Sequence, residues 1–394
     1  MTSGKWGTIV LALSLLLAGC GQSANTTAPA EQPKGETGQE TQQGAAETTP
    51  QGETAVADAF KMALKELDKA KEGQPVDFER VATIYKESLQ GLVQTRDAEF
   101  KETLDQQLSA ALEAGKNGQM DPLVVRQVFD KLMQKVFYLT IKKEFQETLE
   151  KWGDKAHGKE EVAEAKAYYA LLKGTVEKRD AAYGTQMAAT IDGAFADLEK
   201  AVDSGDKLAF ELAKQVVDKT LMKTFYLAAG ALEHGYAGKA AKEAKEDPKK
   251  AKVEQAEGWA FYQSLYPYLA KYAKEEADFI QQQFDLSSDV SKLDPQAVNK
   301  AFIRGFAKVA LHEYEESAEN WGQDKGVITA LEGALFIDLL EGDLKRLLGE
   351  QGYTSLRETA QQYLEAAKAR DEAKGKALRE ELEKTLRAVV NKAQ

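Results

Sequence analysis

The run Ala310-Leu-His312-Glu-Tyr-Glu315-Glu316 sets an imidazole three and four residues ahead of two carboxylates. On a helix this spacing places His312, Glu315 and Glu316 on one face, which Glu319 continues. Imidazole with carboxylates is a donor set for a transition metal, given further ligands from a second helix. The same pattern also arises by chance in a glutamate-rich helical chain. Two other histidines occur. His157, in Ala-His-Gly-Lys, reads as a solvated turn residue. His234, in Glu233-His-Gly235, reads as a residue at a helix C-terminus.

A second chemistry lies at the start of the chain. Lys5 is followed by the apolar run Ile9 to Leu17 and then by Ala18-Gly19-Cys20. This is the layout of a signal peptide. The apolar run is too short to span a bilayer, which takes about 20 such residues. Leu17-Ala18-Gly19-Cys20 resembles the lipobox of bacterial lipoproteins. The resemblance implies cleavage ahead of Cys20, a diacylglycerol on its sulfur, and a lipid-anchored location on the extracytoplasmic face of the cell membrane. Cys20 is the one cysteine in the sequence, so no disulfide braces the remainder.

Three regions follow: a signal peptide over 1–19, the lipidated cysteine and a disordered tether over 20–55, and a helical body over 56–394. The stretch from Gly21 to about Thr54 holds no Leu, Ile, Val, Phe, Tyr or Trp. Too little apolar surface is available there to offset the entropy of ordering. From Val56 onward the chain is rich in Ala, Leu, Glu, Lys and Gln, with apolar residues at three- and four-residue intervals, as in Val125, Val128, Phe129, Leu132, Val136 and Leu139. Asp-Pro pairs at 121, 247 and 294 read as helix starts, with the aspartate capping and the proline at the first helical position. The fold class is all-α.

The body repeats. Gln127 to Leu139 returns without a gap as Gln215 to Leu227, and a weaker copy from Lys300 to His312 keeps Phe302 and Lys308. A second block, Tyr85 to Ala98, returns as Tyr168 to Ala181, with weaker copies starting at Phe261 and Phe336. The period is roughly 85 residues, about three helical segments per unit, in a solenoid-like or elongated bundle whose units share a core. Gly91, Gly174, Pro267 and Gly342 share one column, which predicts a bend or break there. Lys135, Lys223 and Lys308 recur on an apolar stripe, while Glu164, Glu257 and Glu332 each precede an aromatic residue by four. A charge on such a stripe is costly unless paired. These lysines and glutamates are expected to meet between helices once per unit, the alternative being that each reaches water along its aliphatic stem.

The stretch Ala163 to Asp180, running on to Ile191, Phe195 and Leu198, resembles a helix pair of imelysin-type proteins, helical exported bacterial proteins of which several are linked to iron uptake. Their Gly-x-His-x-x-Glu metal motif has its nearest counterpart in Ala310-x-His312-x-x-Glu315, with alanine in place of glycine. The resemblance implies metal ligation by His312 and Glu315.

No haem-attachment motif, phosphate loop or nucleophile motif is present, so the chain reads as a non-enzyme. A net charge of −12 argues against nucleic acid. The leading expectation is a membrane-anchored helical scaffold that binds a protein or small ligand. The alternative is an accessory metal- or iron-binding protein of an uptake system.

Overall fold

Aspartate side chains open many of the helices. A computed structural model of the protein describes residues 50–394. The signal segment, Cys20 and most of the tether lie outside the described residues. In chain order the helices are α1 (Pro50–Leu67), α2 (Phe78–Ile84), α3 (Gln90–Phe100), α4 (Leu104–Lys116), α5 (Pro122–Glu150), α6 (Lys155–Tyr183), α7 (Met187–Ser204) and α8 (Lys207–Ala229). They continue as α9 (Tyr236–Glu243), α10 (Pro248–Gln263), α11 (Tyr266–Tyr272), α12 (Lys274–Phe284), α13 (Pro295–Glu319), α14 (Asp324–Leu339), α15 (Glu341–Ala369) and α16 (Glu372–Lys392). The described residues hold no strand. Helix α1 starts at Pro50, so the last residues assigned to the tether are helical.

The three Asp-Pro starts are as expected. Asp121 accepts from the Leu123 amide at 2.8 Å, Asp247 from Lys249 and Lys250 at 3.1 Å, and Asp294 from Gln296 at 2.9 Å. An Arg-Asp pair repeated in the second block, Arg96-Asp97 and Arg179-Asp180, also has a capping role. Asp97 accepts from the amides of Leu104 and Asp105, and Asp180 from those of Met187 and Ala188, each at 2.7–2.9 Å. In both copies the aspartate at the end of one helix satisfies the free amides that begin the next.

Helices α5 and α6 pack together, as do α7 with α8 and α13 with α14, while α10 lies on α5 and α14 on α8. The recurring aromatic residues make these joints. Phe137 packs on Tyr168 (5.9 Å between ring centres), Phe225 on Phe261 (6.1 Å) and Phe306 on Phe336 (5.8 Å). Trp152 and Trp321 close the ends of α5 and α13 against Phe210 and Tyr363.

The glycine and proline column behaves unevenly. Pro267 follows the break between α10 and α11, and Gly342 follows the junction of α14 with α15. Gly91 comes just after a π-helical turn over Tyr85–Leu89. Gly174, against expectation, lies inside unbroken α6, exposed, with nothing within 4 Å of where a Cβ would sit. Gly174→Ala is therefore expected to stabilise the protein by about 0.5–1 kcal/mol in urea unfolding, through reduced entropy of the unfolded chain.

Candidate metal centre

His312, Glu315 and Glu316 do not converge. The His312 ring lies 4.6 Å from that of Tyr272, Glu315 faces outward to Arg387 at 3.5 Å, and Glu316 pairs with Lys325 at 2.6 Å. No second carboxylate or imidazole completes a ligand set with them among the described residues. The three side chains turn to three different neighbouring helices, and Glu315 and Glu316 are each already matched by a basic residue there.

The expected lysine–glutamate pairs form one turn away from the expected lysines. Lys135 pairs with Glu102 at 2.7 Å, Lys223 with Asp338 and Glu341 at 2.9 and 3.2 Å, and Lys308 with Glu276 at 2.6 Å. Glu257 instead lies 3.5 Å from Lys131, and Glu332 lies 3.5 Å from Lys219. Each of these lysines also holds the aspartate just before it, Asp130 at 2.8 Å and Asp218 at 2.7 Å. Tyrosine hydroxyls complete both groups, Tyr236 donating to Glu257 at 2.7 Å and Tyr268 to Glu332 at 3.3 Å.

Glu164, the third member of that column, sits among other acids. Helices α5 and α6 run antiparallel through the turn at Trp152-Gly153, so Glu144 and Glu147 of α5 face His157, Glu161 and Glu164 of α6. Each helix presents two glutamates three residues apart, which places both on one face. Glu147, His157 and Glu161 each offer a ligand atom within 4.8 Å of the others, and Glu144, Glu161 and Glu164 do the same. Asp154 caps the Ala156 and His157 amides, so α6 begins ahead of His157, whose side chain is 15% exposed rather than solvated. His157 Nδ1 is 3.1 Å from Glu161. Gly158 allows the close approach of the helices: a Cβ there would lie 3.3 Å from the Thr148 methyl and 3.2 Å from Val202.

This cluster is buried and incompletely satisfied. Glu144, Glu161 and Glu164 are 4–6% exposed. Burial and the adjoining Glu161 carboxylate push the Glu144 carboxyl up to about 10, with Arg96 opposing. Arg96 Nη1 stands 3.9 Å from Glu144, too far to hydrogen-bond. Glu161 Oε2, His157 Nε2 and the Tyr168 hydroxyl are buried with no hydrogen-bond partner among the described residues. The aligned copies show what the fold itself requires. Counting back from Glu332, the places of Glu161 and His157 hold Thr329 and Lys325, and Thr329 simply donates to the Lys325 carbonyl. Counting back from Glu257 gives Glu254 and Lys250; burial raises the Glu254 carboxyl, with Lys239 and Lys250 opposing. Of these three copies the first alone has histidine, not lysine, one turn ahead of the Glu161 position. Carboxylates and one imidazole in a dry site are ligands for a first-row transition metal.

A second feature is a cleft of ≈ 670 Å³ bounded by residues that include Lys142, Lys214, Asp218, Lys219, Tyr268, Glu313 and Glu332. The aromatic residues of α10 and α11 divide here: Phe261 and Tyr262 are buried in the core, while Tyr268 lines the cleft. Burial, then the Glu332 charge, raises the Glu313 carboxyl from 4.5 to about 7, with Tyr268 and Lys219 pulling the other way. A raised carboxyl means that the folded protein binds more protons than the unfolded chain between these values. Stability from this group is therefore greatest below about pH 4.5 and falls as pH rises to about 7. Glu313→Gln is expected to flatten that decline in urea unfolding across the same window. An unchanged slope would show that Glu313 ionises normally.

A family model described as the iron permease FTR1 N-terminal domain matches residues 124–246, under a third of the chain. The matched span runs from α5 through α9 and contains all five residues of the carboxylate–imidazole cluster. No curated protein and no solved structure matches the chain. Among the described residues no helix is long and apolar enough to cross a membrane.

Proposed function

We propose that this chain is an accessory metal-binding protein of an iron-uptake system, held at the extracytoplasmic face of the membrane through Cys20, with iron as its cargo and no catalysis of its own. One observation carries the reading: Glu144, Glu147, His157, Glu161 and Glu164 converge inside the span that matches an iron-permease domain. Holding these acids together in a dry site is costly, and the other two copies have lysine in the place of His157 and, in one of them, threonine in the place of Glu161. A bound cation removes that cost. The cleft at Glu313 favours a second reading, a scaffold that takes a small polar ligand between α8, α11 and α14.

The test is Fe(II) binding by the purified chain under anaerobic conditions, followed by calorimetry. Binding is expected in the natural sequence and in His312→Ala, and lost in Glu161→Gln. No binding by the natural sequence overturns the proposal, and loss in His312→Ala returns the site to α13.

A further inference from the structure

The cluster contains two ligand sets, not one. Glu147, His157 and Glu161 form the first, at the half-buried end of the α5–α6 pair, and Glu144, Glu161 and Glu164 form the second, fully buried. Glu161 belongs to both, and its Oε2 is without a partner among the described residues. A carboxylate common to two triads is the geometry that bridges two ions about 3.5–4 Å apart.

The local charge agrees. Around the cluster stand Glu53, Glu99, Glu144, Glu147, Glu160, Glu161 and Glu164. The basic side chains facing them are Arg96, which reaches Glu99 and Glu144, and Lys143, which reaches Glu99 and Glu147. Seven acids face two bases, so with every carboxylate ionised one divalent cation leaves most of the excess negative charge and two remove nearly all of it. The Tyr168 hydroxyl points to the deeper position independently of the acids. It is 1% exposed and unpartnered among the described residues, and it lies within the electrostatic reach of Glu144, Glu53 and Glu164. The corresponding aromatic residues of the next two copies, Phe261 and Phe336, carry no hydroxyl.

We infer that the α5–α6 pair holds two first-row divalent cations bridged by Glu161, an outer one on Glu147 and His157 and an inner one on Glu144 and Glu164. This rests on the metal-binding reading above. The outer position combines imidazole with carboxylates and stands nearer solvent, so it is the entry position. The inner one is all-oxygen and is filled through it.

The experiment is equilibrium dialysis of the full chain against Fe(II) under anaerobic conditions, with Glu144→Gln/Glu161→Gln as the blank for adventitious surface binding. A parallel loading with Mn(II) is read by electron paramagnetic resonance. Two ions per chain above the blank are expected, with one remaining in His157→Ala. The Mn(II) spectrum is expected to show exchange coupling that Glu161→Gln abolishes while helical circular dichroism is unchanged. One ion per chain, or two ions without coupling, overturns the bridged pair and leaves the metal-binding reading in place. No ion above the blank overturns both.

Discussion

Glu144→Gln is expected to make the metal-free protein more stable than the natural sequence, and to remove the stabilisation that Fe(II) confers. Glu144 is 4% exposed and stands against Glu161 and Glu164, with the nearest guanidinium nitrogen 3.9 Å away. Glutamine keeps the volume, the hydrogen bond to Glu161 and the neutral charge that burial imposes on Glu144 at neutral pH, so the exchange removes the cost of protonating this acid on folding. A gain of about 1–3 kcal/mol is the scale set by burying a polar group without its partners. Ligand binding works in the opposite direction: at a free metal concentration 100 times Kd the natural protein gains about 2.7 kcal/mol. Urea unfolding with and without Fe(II) reads both effects. A variant less stable than the natural protein would mean that the carboxylates serve the fold rather than a ligand. Stability sacrificed at a site is a common mark of function.

Lys219→Met is expected to be the most damaging exchange of a lysine. The ammonium is 3% exposed, 2.7 Å from Asp218 and 3.5 Å from Glu332, and it lies 4.5 Å above the Tyr268 ring. Asp218 is held well below the usual carboxylate range, because Lys219 and Lys142 outweigh its burial. Methionine fills the space but leaves the buried Asp218 with the Tyr138 hydroxyl and a Lys142 ammonium 4.0 Å away, and Glu332 with the Tyr268 hydroxyl, at a cost of about 3–5 kcal/mol. Lys131→Met is expected to cost less, since Asp130 retains Arg126 at 2.7 Å and Glu257 retains the Tyr236 hydroxyl. Lys166→Met, at an exposed pair with Glu199, is expected to change stability by under about 1 kcal/mol. Equal losses in all three would refute the burial argument.

The all-α body was legible because local signals agreed with one another. Asp-Pro starts, helix-forming composition and three-to-four spacing all select the helix, and the aromatic columns that recur in sequence are those that pack in space. The ion pairs were found in kind but misplaced by a turn. The lysine column at 135, 223 and 308 is kept in three copies, whereas Lys131 and Lys219 become Arg304 in the third, so repetition favoured the wrong column. Sequence spacing says which residues share a face, not which helix covers that face, and Lys135 in fact meets Glu102 of its own neighbourhood.

The cluster was missed for two physical reasons. Glu144-x-x-Glu147 and Glu161-x-x-Glu164 look unremarkable in a chain with 64 acidic residues, and their meeting depends on an antiparallel turn. His157 was read as a turn residue because glycine follows it, but the Asp154 cap starts α6 before it, and Gly158 serves close helix packing rather than a break. The available signal was the pair of Glu-x-x-Glu patterns on either side of Trp152-Gly153, with His157 four residues ahead of Glu161.

The most direct test of a metal centre between α5 and α6 is anomalous scattering at the iron edge from crystals of the protein loaded with Fe(II). Peaks bounded by Glu144, His157, Glu161 and Glu164 are the expected result. Iron located at His312, or no ordered iron between these helices, would contradict the assignment.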